Sequence, residues 1–187
     1  MLPITLIMTV AAFKANAQTA DFLTLITAAT QAPSGHNSQP WWFETSEHSI
    51  VIKPNFEKAL PAVDSQHREL FISLGCALEN LCLKATQLHY QTEVNINEEG
   101  VITIGLQQSA TVAPNPLAEF IAKRQTNRSE YDHKRIDPTL LQNLVAKTEA
   151  TGIFTFANGS PLFELLTQAV LQGNTAQMSD PAFKNEL

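Results

Sequence analysis

Cysteine is scarce: Cys76 and Cys82 are the only two among 187 residues. They stand six apart in a stretch that reads as one helix, where a turn of 100° per residue points them about 240° apart. They do not readily pair with each other there, and no Cys/His cluster has zinc spacing, which argues against a disulfide scaffold and a metal centre alike. Basic residues are the minority, 12 Lys+Arg against 18 Asp+Glu for a formal charge of −6. Non-specific binders of a phosphate backbone present a net basic face, so nucleic acid is not an expected partner. No apolar run is long enough to span a bilayer, so no integral membrane segment is expected. Also missing are a strand-GxGxxG-helix unit, a GxxxxGKS/T loop and a GxSxG elbow, which removes support for Rossmann, P-loop and α/β-hydrolase readings.

What is present suits an ordered core. Hydrophobic residues make up 44% and charged residues 16%, with ten Phe among them, enough for one domain or slightly more. The N-terminus stands apart. Leu2 to Phe13 is an apolar run of about 12 residues followed by Ala15-Asn16-Ala17, the small-x-small pattern of a signal-peptidase site. No Lys or Arg precedes the run, Pro3 interrupts it and Lys14 follows it. Residues 1–17 therefore read either as a signal peptide, placing the protein in the periplasm or outside the cell, or as an N-terminal helix of a cytoplasmic protein.

Ala20 to Ala32 carries Phe22, Leu23, Ile26 and Ala29 at helical spacing and ends before Pro33. Trp41-Trp42-Phe43 and Ser49 to Lys53 read as two short strands. His67 to His89 shows a broad apolar face, from Leu70, Leu74 and Ala77 to Leu81 and Ala85, and is the expected central helix. Gln91 to Asn97 and Val101 to Leu106 alternate around Glu99-Gly100 as a second hairpin. Asn115-Pro116, Asp137-Pro138 and Ser160-Pro161 each pair a capping residue with proline at the first helical position, marking three helix starts. Ile153 to Ala157 reads as a strand. This order predicts an α+β fold with a mixed or antiparallel sheet and a long central helix.

Two constellations carry chemistry. In the loop Pro33-Ser34-Gly35-His36-Asn37-Ser38-Gln39-Pro40, Gly35 permits a tight turn and close approach to a ligand. The Ser34 hydroxyl and the Asn37 and Gln39 amides offer donors and acceptors within a few residues. That set suits a flat heteroaromatic ring; equally, it suits an ordinary loop whose polar groups cap the neighbouring backbone. His36 is the one residue there fit for proton delivery or tuning near such a ring. The second constellation is Lys123-Arg124-Gln125-Thr126-Asn127-Arg128, three of the 12 basic residues in one hexapeptide. If helical, it would put Arg124 and Arg128 on one face with Lys123 or Thr126 close by. Guanidinium forks match phosphate oxygens, though basic runs on helices are commonly solvated faces. A polar-edged ring with a phosphate tail is, in its simplest form, FMN.

These residues also carry a resemblance. APSGHNSQPWWF resembles the APS-x-x-N-x-QPW-x-F segment of the nitroreductase-like flavoproteins. HRELFISLGCALENLCLKA resembles their central helix, in particular that of the Acg-like branch, in which one chain holds two nitroreductase-like repeats. KRQTNRSEYDHKRIDPTLLQNLV resembles the R-x-S/T-x-R segment and helix that open a repeat. The resemblance runs from about Asp21 to the end. It implies a first repeat at 18–112, the beginning of a second at 113–187, and FMN as cofactor. Pro33, Ser34, Gly35 and Asn37 would contact the flavin, Gln39 would support the loop, and Arg124, Thr126 and Arg128 would hold the phosphate and ribityl end. The chain departs from the pattern by stopping at Leu187 before a second sheet, and no Arg occurs in Asp21 to Ala32. A fragment with one flavin site per chain at most is therefore expected.

The implied activity is an FMN-dependent oxidoreductase that passes hydride from NAD(P)H to a small acceptor such as a nitroaromatic or quinone. The flavin carries that chemistry, so no protein nucleophile or general base and no metal is required. The alternatives are a protein that binds and sequesters FMN without turnover, and a half that only associates. Single-repeat relatives share sites across a dimer, so the resemblance implies a homodimer.

Overall fold

The computed structural model of the chain describes residues 18–132, 134–147 and 153–186. Residues 1–17, read either as a signal peptide or as an N-terminal helix, lie outside the described residues. The chain divides into two compact units, one running to Arg124 and taking in Glu186, the other spanning Gln125–Asn185.

In the first unit, residues alternating with period two place Ile50 and Ile52 of strand β2 (Ser49–Pro54) beside Ile102, Ile104 and Leu106 of β4 (Ile102–Gln108), all buried. β1 (Trp41–Thr45) and β3 (Tyr90–Ile96) complete a four-stranded sheet in the order β1-β2-β4-β3. Every pairing is antiparallel, with Phe43 opposite Ile52 and Ile104 between Ile50 and Val94. The sheet is thus the antiparallel form of the expected α+β fold.

Helix α2 (Arg68–Gln87) carries Leu70, Leu74, Ala77, Leu81 and Ala85 at steps of three and four, one helical stripe, and all five are buried. They join the inward isoleucines in one core with Phe22, Leu25 and Ala29 of helix α1 (18–30). Each fully buried Leu or Ile in that core contributes about 1.5–3 kcal/mol. The Asp64 carboxylate accepts the backbone N–H of Leu70 at 3.0 Å, satisfying one of the free donors at the start of α2. Between β3 and β4, Gly100 has φ +76°, and a Cβ there would meet Phe71 Cε1 at 2.2 Å. The turn therefore favours glycine, and a side chain there would also force the Phe71 ring to move.

The second unit contains α3 (Pro138–Lys147), α4 (Pro161–Ser179) and all but the last residue of α5 (Pro181–Glu186). The expected capping is observed: Asp137 Oδ1 accepts from Thr139 N at 2.7 Å, and Ser160 Oγ accepts from Phe163 N at 3.3 Å. α3 and α4 bury none of their residues, leaving Leu140, Leu144, Leu165 and Val170 exposed.

Two expectations are corrected. Asn115-Pro116 opens only a five-residue 3-10 turn (Pro116–Phe120), with Asn115 Oδ1 accepting from Leu117 N at 2.9 Å. Residues 153–157 form no strand, although Ile153, Phe154 and Phe156 have strand composition. A strand needs a ladder partner, and the regular elements described in this unit are all helices. Among the described residues, no helix is long and apolar enough to cross a membrane.

Candidate functional site

The loop after α1 is held at both ends and open in the middle. Pro40 and Trp41 are buried, and Pro40 O accepts from Asn55 N at 3.0 Å. Between them and α1, Ser34 O accepts from Asn37 N and Gly35 O from Ser38 N, both at 3.0 Å, winding Gly35–Asn37 into a 3-10 turn. Ser34 Oγ accepts from Gln39 N at 3.0 Å and closes the loop on itself. His36, Asn37 and Gln39 all lie in the left-handed region, with φ of 47°, 57° and 51°. Asn and His are found there several-fold more often than other residues, whereas Gln is disfavoured by roughly 1–2 kcal/mol. Such conformations persist only where the surroundings over-determine them, and they cluster at ligand sites.

The loop is fastened to α2. Gly35 N donates to Ser73 Oγ at 3.1 Å, and Ser73 Oγ donates to Glu69 O at 2.7 Å. A Cβ on Gly35 would stand 3.0 Å from Glu69 Oε2. Gly35 thus serves close approach to α2, while the sharp turning expected of it falls to His36, Asn37 and Gln39. Ser73 was not singled out from the sequence. The signal available was a hydroxyl on the buried stripe between Leu70 and Ala77, where packing alone calls for an apolar side chain.

Pro33, His36, Asn37 and Gln39 are exposed, while Ser34 and Gly35 are half-buried. Among the described residues, no hydrogen bond engages the side-chain amide of Asn37 or Gln39. The cavity beneath the loop, lined by Gly35, Ser38, Asp64, Glu69 and Ser73, measures about 10 Å³. It holds a water at most, so a ring ligand would lie across the exposed side.

Of the basic constellation, the first unit holds Arg124, whose Nη2 donates to Gln31 O at 3.3 Å. Gln31 follows α1 and stands two residues before Pro33, so the guanidinium lies at the foot of the loop with most of its five donors uncommitted. Lys123 Nζ sits 5.1 Å from the centroid of the Phe120 ring, a cation–π contact. Thr126 and Arg128 belong to the second unit and are exposed. The expected shared helical face of Arg124 and Arg128 does not form, because residues 124–128 are not helical. Asn127 Oδ1 accepts from Ser129 N at 2.9 Å, a local side-chain bond that competes with the helix. Among the described residues, no group of three or more His, Cys, Asp and Glu could hold a metal ion.

No family model matches the chain. Three curated proteins of Mycobacterium tuberculosis are similar to it. The one named "Putative NAD(P)H nitroreductase Rv3131" is 33% identical over 117 residues, covering 58% of this chain and 33% of that protein. "Uncharacterized protein Rv3127" is 30% identical over 115 residues, 56% of this chain and 33% of its own length. "Putative NAD(P)H nitroreductase acg" is 35% identical over 52 residues, 28% of this chain and 16% of its own. A solved structure named "Putative NADH Oxidase", from Clostridium acetobutylicum, aligns at TM-score 0.43 and 18% identity over 59% of this chain and 89% of that one. That level of likeness decides nothing about fold or function. The chain spans about a third of the length of the first two curated relatives, and two of the three, Rv3131 and acg, carry the NAD(P)H nitroreductase name.

Proposed function

We propose that this chain is the FMN-binding portion of a nitroreductase-like oxidoreductase that takes hydride from NAD(P)H and delivers it to a small acceptor, a nitroaromatic or a quinone. The observation that carries the reading is the loop Pro33–Gln39, where three left-handed residues leave the Asn37 and Gln39 amides uncommitted, while Arg124 donates to Gln31 O two residues before the loop begins. The similarity to proteins named NAD(P)H nitroreductases supports it. In this reading residues 18–112 are a first repeat and 113–187 the beginning of a second, as in the Acg-like branch.

The donor set fits FMN. Each free carboxamide both donates and accepts, as the mixed edge of a flavin ring requires, and a guanidinium fork matches a phosphate. When bound, FMN supplies the hydride chemistry. Asn37 and Gln39 would orient the ring, with Pro33 and the Gly35 backbone beside it. Ser34 holds the Gln39 N–H and so keeps the loop in one conformation. Arg124 would hold the phosphate, and the resemblance to the R-x-S/T-x-R segment assigns the same role to Thr126 and Arg128.

The test is the visible spectrum of the purified protein, with the released cofactor identified by mass, for wild type and for Arg124→Ala/Arg128→Ala. One FMN per chain, weakened at least tenfold in the double variant, is the expected result. Steady NAD(P)H oxidation with a nitroaromatic or quinone then establishes turnover, whereas tight FMN without oxidation makes this a sequestering protein. A colourless chain that added FMN does not reconstitute overturns the proposal.

A further inference from the structure

Ser73 sits on the buried stripe of α2 with 2% of its surface exposed. Its hydroxyl is used twice, donating to Glu69 O at 2.7 Å and accepting from Gly35 N at 3.1 Å. Within the helix such back-bonding is neutral to mildly unfavourable, and its neighbours on the stripe, Leu70, Leu74 and Ala77, are apolar. Nothing in the packing of α2 therefore asks for a hydroxyl at this position. The bond to Gly35 does ask for one, because a half-buried N–H without an acceptor is destabilising.

Gly35 immediately precedes His36 and Asn37, two of the three left-handed residues of the loop. These conformations need external restraint, and two hydroxyls supply it. Ser34 Oγ closes the loop internally on Gln39 N, while Ser73 Oγ anchors it to α2. The anchor comes from a helix held in the core by Leu74 and Leu81, at 1% and 0% exposure. A site mounted on a rigid element presents its groups more reproducibly than one on a loop alone.

We infer that Ser73 is a positioning residue of the proposed flavin site, holding Gly35 so that the Asn37 and Gln39 amides are presented to the ring. Its own side chain is buried beneath the loop, so it acts through Gly35 and not by touching the ligand. The inference rests on the flavin reading for its ligand, but its mechanical part concerns the free protein.

The test uses the full chain with Ser73→Ala, Ser73→Thr and Ser73→Cys. FMN affinity is read by quenching of flavin fluorescence, and amide hydrogen exchange at residues 35–39 is read without FMN. Ser73→Ala is expected to weaken FMN about tenfold, the effect of one lost hydrogen bond to a half-buried donor, and to speed exchange at Gly35 and Gln39. Circular dichroism should show α2 unchanged. Ser73→Thr, which keeps the hydroxyl, should restore affinity to within about twofold of wild type even though its extra methyl lowers stability. Should the alanine variant not fold, Ser73→Cys preserves volume with a weaker acceptor, and the same two readouts decide. A lowered Tm with unchanged FMN affinity and unchanged loop exchange overturns the inference. If wild type binds no FMN, the flavin reading fails by itself. Loop exchange in the free variants then decides whether Ser73 holds the loop: unchanged exchange overturns that part, and faster exchange sustains it.

Discussion

The Tyr90 hydroxyl donates to Asp21 Oδ2 at 3.0 Å, joining the first residue of β3 to the first turns of α1. Tyr90 is 5% exposed, and its phenol is pushed above its ordinary pKa by burial first and by the neighbouring Asp21 carboxylate second. The bond ties the helix that leads into the loop to an edge of the sheet, so the strength of this tie bears on where the loop begins.

Because the folded pKa of Tyr90 is raised, its contribution to stability is full below about pH 10, the unfolded value. It is lost as pH climbs from there through the folded value. Tyr90→Phe should lower unfolding free energy by about 1 kcal/mol at pH 7. The gap between variant and wild type should shrink above pH 10. Urea unfolding of both proteins from pH 7 to 11 measures the gap, and one that is constant with pH would show that the phenol does not titrate in this way.

Packing in the two units differs enough to predict unequal responses to the same change. Leu74 is 1% exposed in the core of the first unit, and Leu74→Ala should lower stability by about 2–5 kcal/mol through lost burial and the cavity left behind. Leu165 on α4 is 61% exposed, and Leu165→Ala should change stability by less than about 0.5 kcal/mol. Chemical denaturation of the two variants checks the pair. A large loss at Leu165 would mean that α4 is covered in solution.

Much of this architecture was legible because its signals are local. Ile50 and Ile52, then Ile102, Ile104 and Leu106, announce strands by period two, and Leu70 to Ala85 announces α2 by its apolar steps. Asp137 and Ser160 cap the helices that follow them, as short-range chemistry dictates. What was not legible depends on partners distant in sequence or on competing local bonds. Residues 153–157 have the composition of a strand, but the regular elements described in their unit are all helices. Asn127 turns its own backbone and ends the helical reading of Arg124 to Arg128. Ser73 meets Gly35 across 38 residues, a separation that no periodicity reports. Gly35 looked like the turning residue because glycine is the usual occupant of left-handed positions. Here those positions are filled by His36, Asn37 and Gln39.

The Cys82 thiol is pushed above its ordinary pKa, chiefly by burial, with Glu79 adding to the effect and a bond to Thr92 opposing it. Since the thiolate is the reactive form, Cys82 should be alkylated slowly at neutral pH and accelerate only above the ordinary thiol range. Site-resolved mass spectrometry after iodoacetamide treatment at pH 7, 8.5 and 10 measures this. Rapid labelling of Cys82 at pH 7 in folded protein would contradict the burial described.

Gln39 permits strain and ligand contact to be separated. With φ of 51° its backbone carries a penalty of roughly 1–2 kcal/mol that glycine would not. Against that, glycine loses about 0.5–1 kcal/mol more conformational entropy on folding. Gln39→Gly keeps the N–H that donates to Ser34 Oγ, so the loop closure survives. Its thermal midpoint should therefore be unchanged or rise by a few degrees. If the carboxamide orients the flavin ring, as proposed, FMN affinity should nevertheless fall several-fold, a weaker complex from an equally stable or more stable protein. Differential scanning calorimetry and FMN titration on the same preparation give both numbers. Unchanged affinity would remove Gln39 from the site and leave Asn37 as the loop's one free amide for the ring. A lowered midpoint would mean that the left-handed residue is held by contacts of its side chain, and the strain argument for this loop would fall with it.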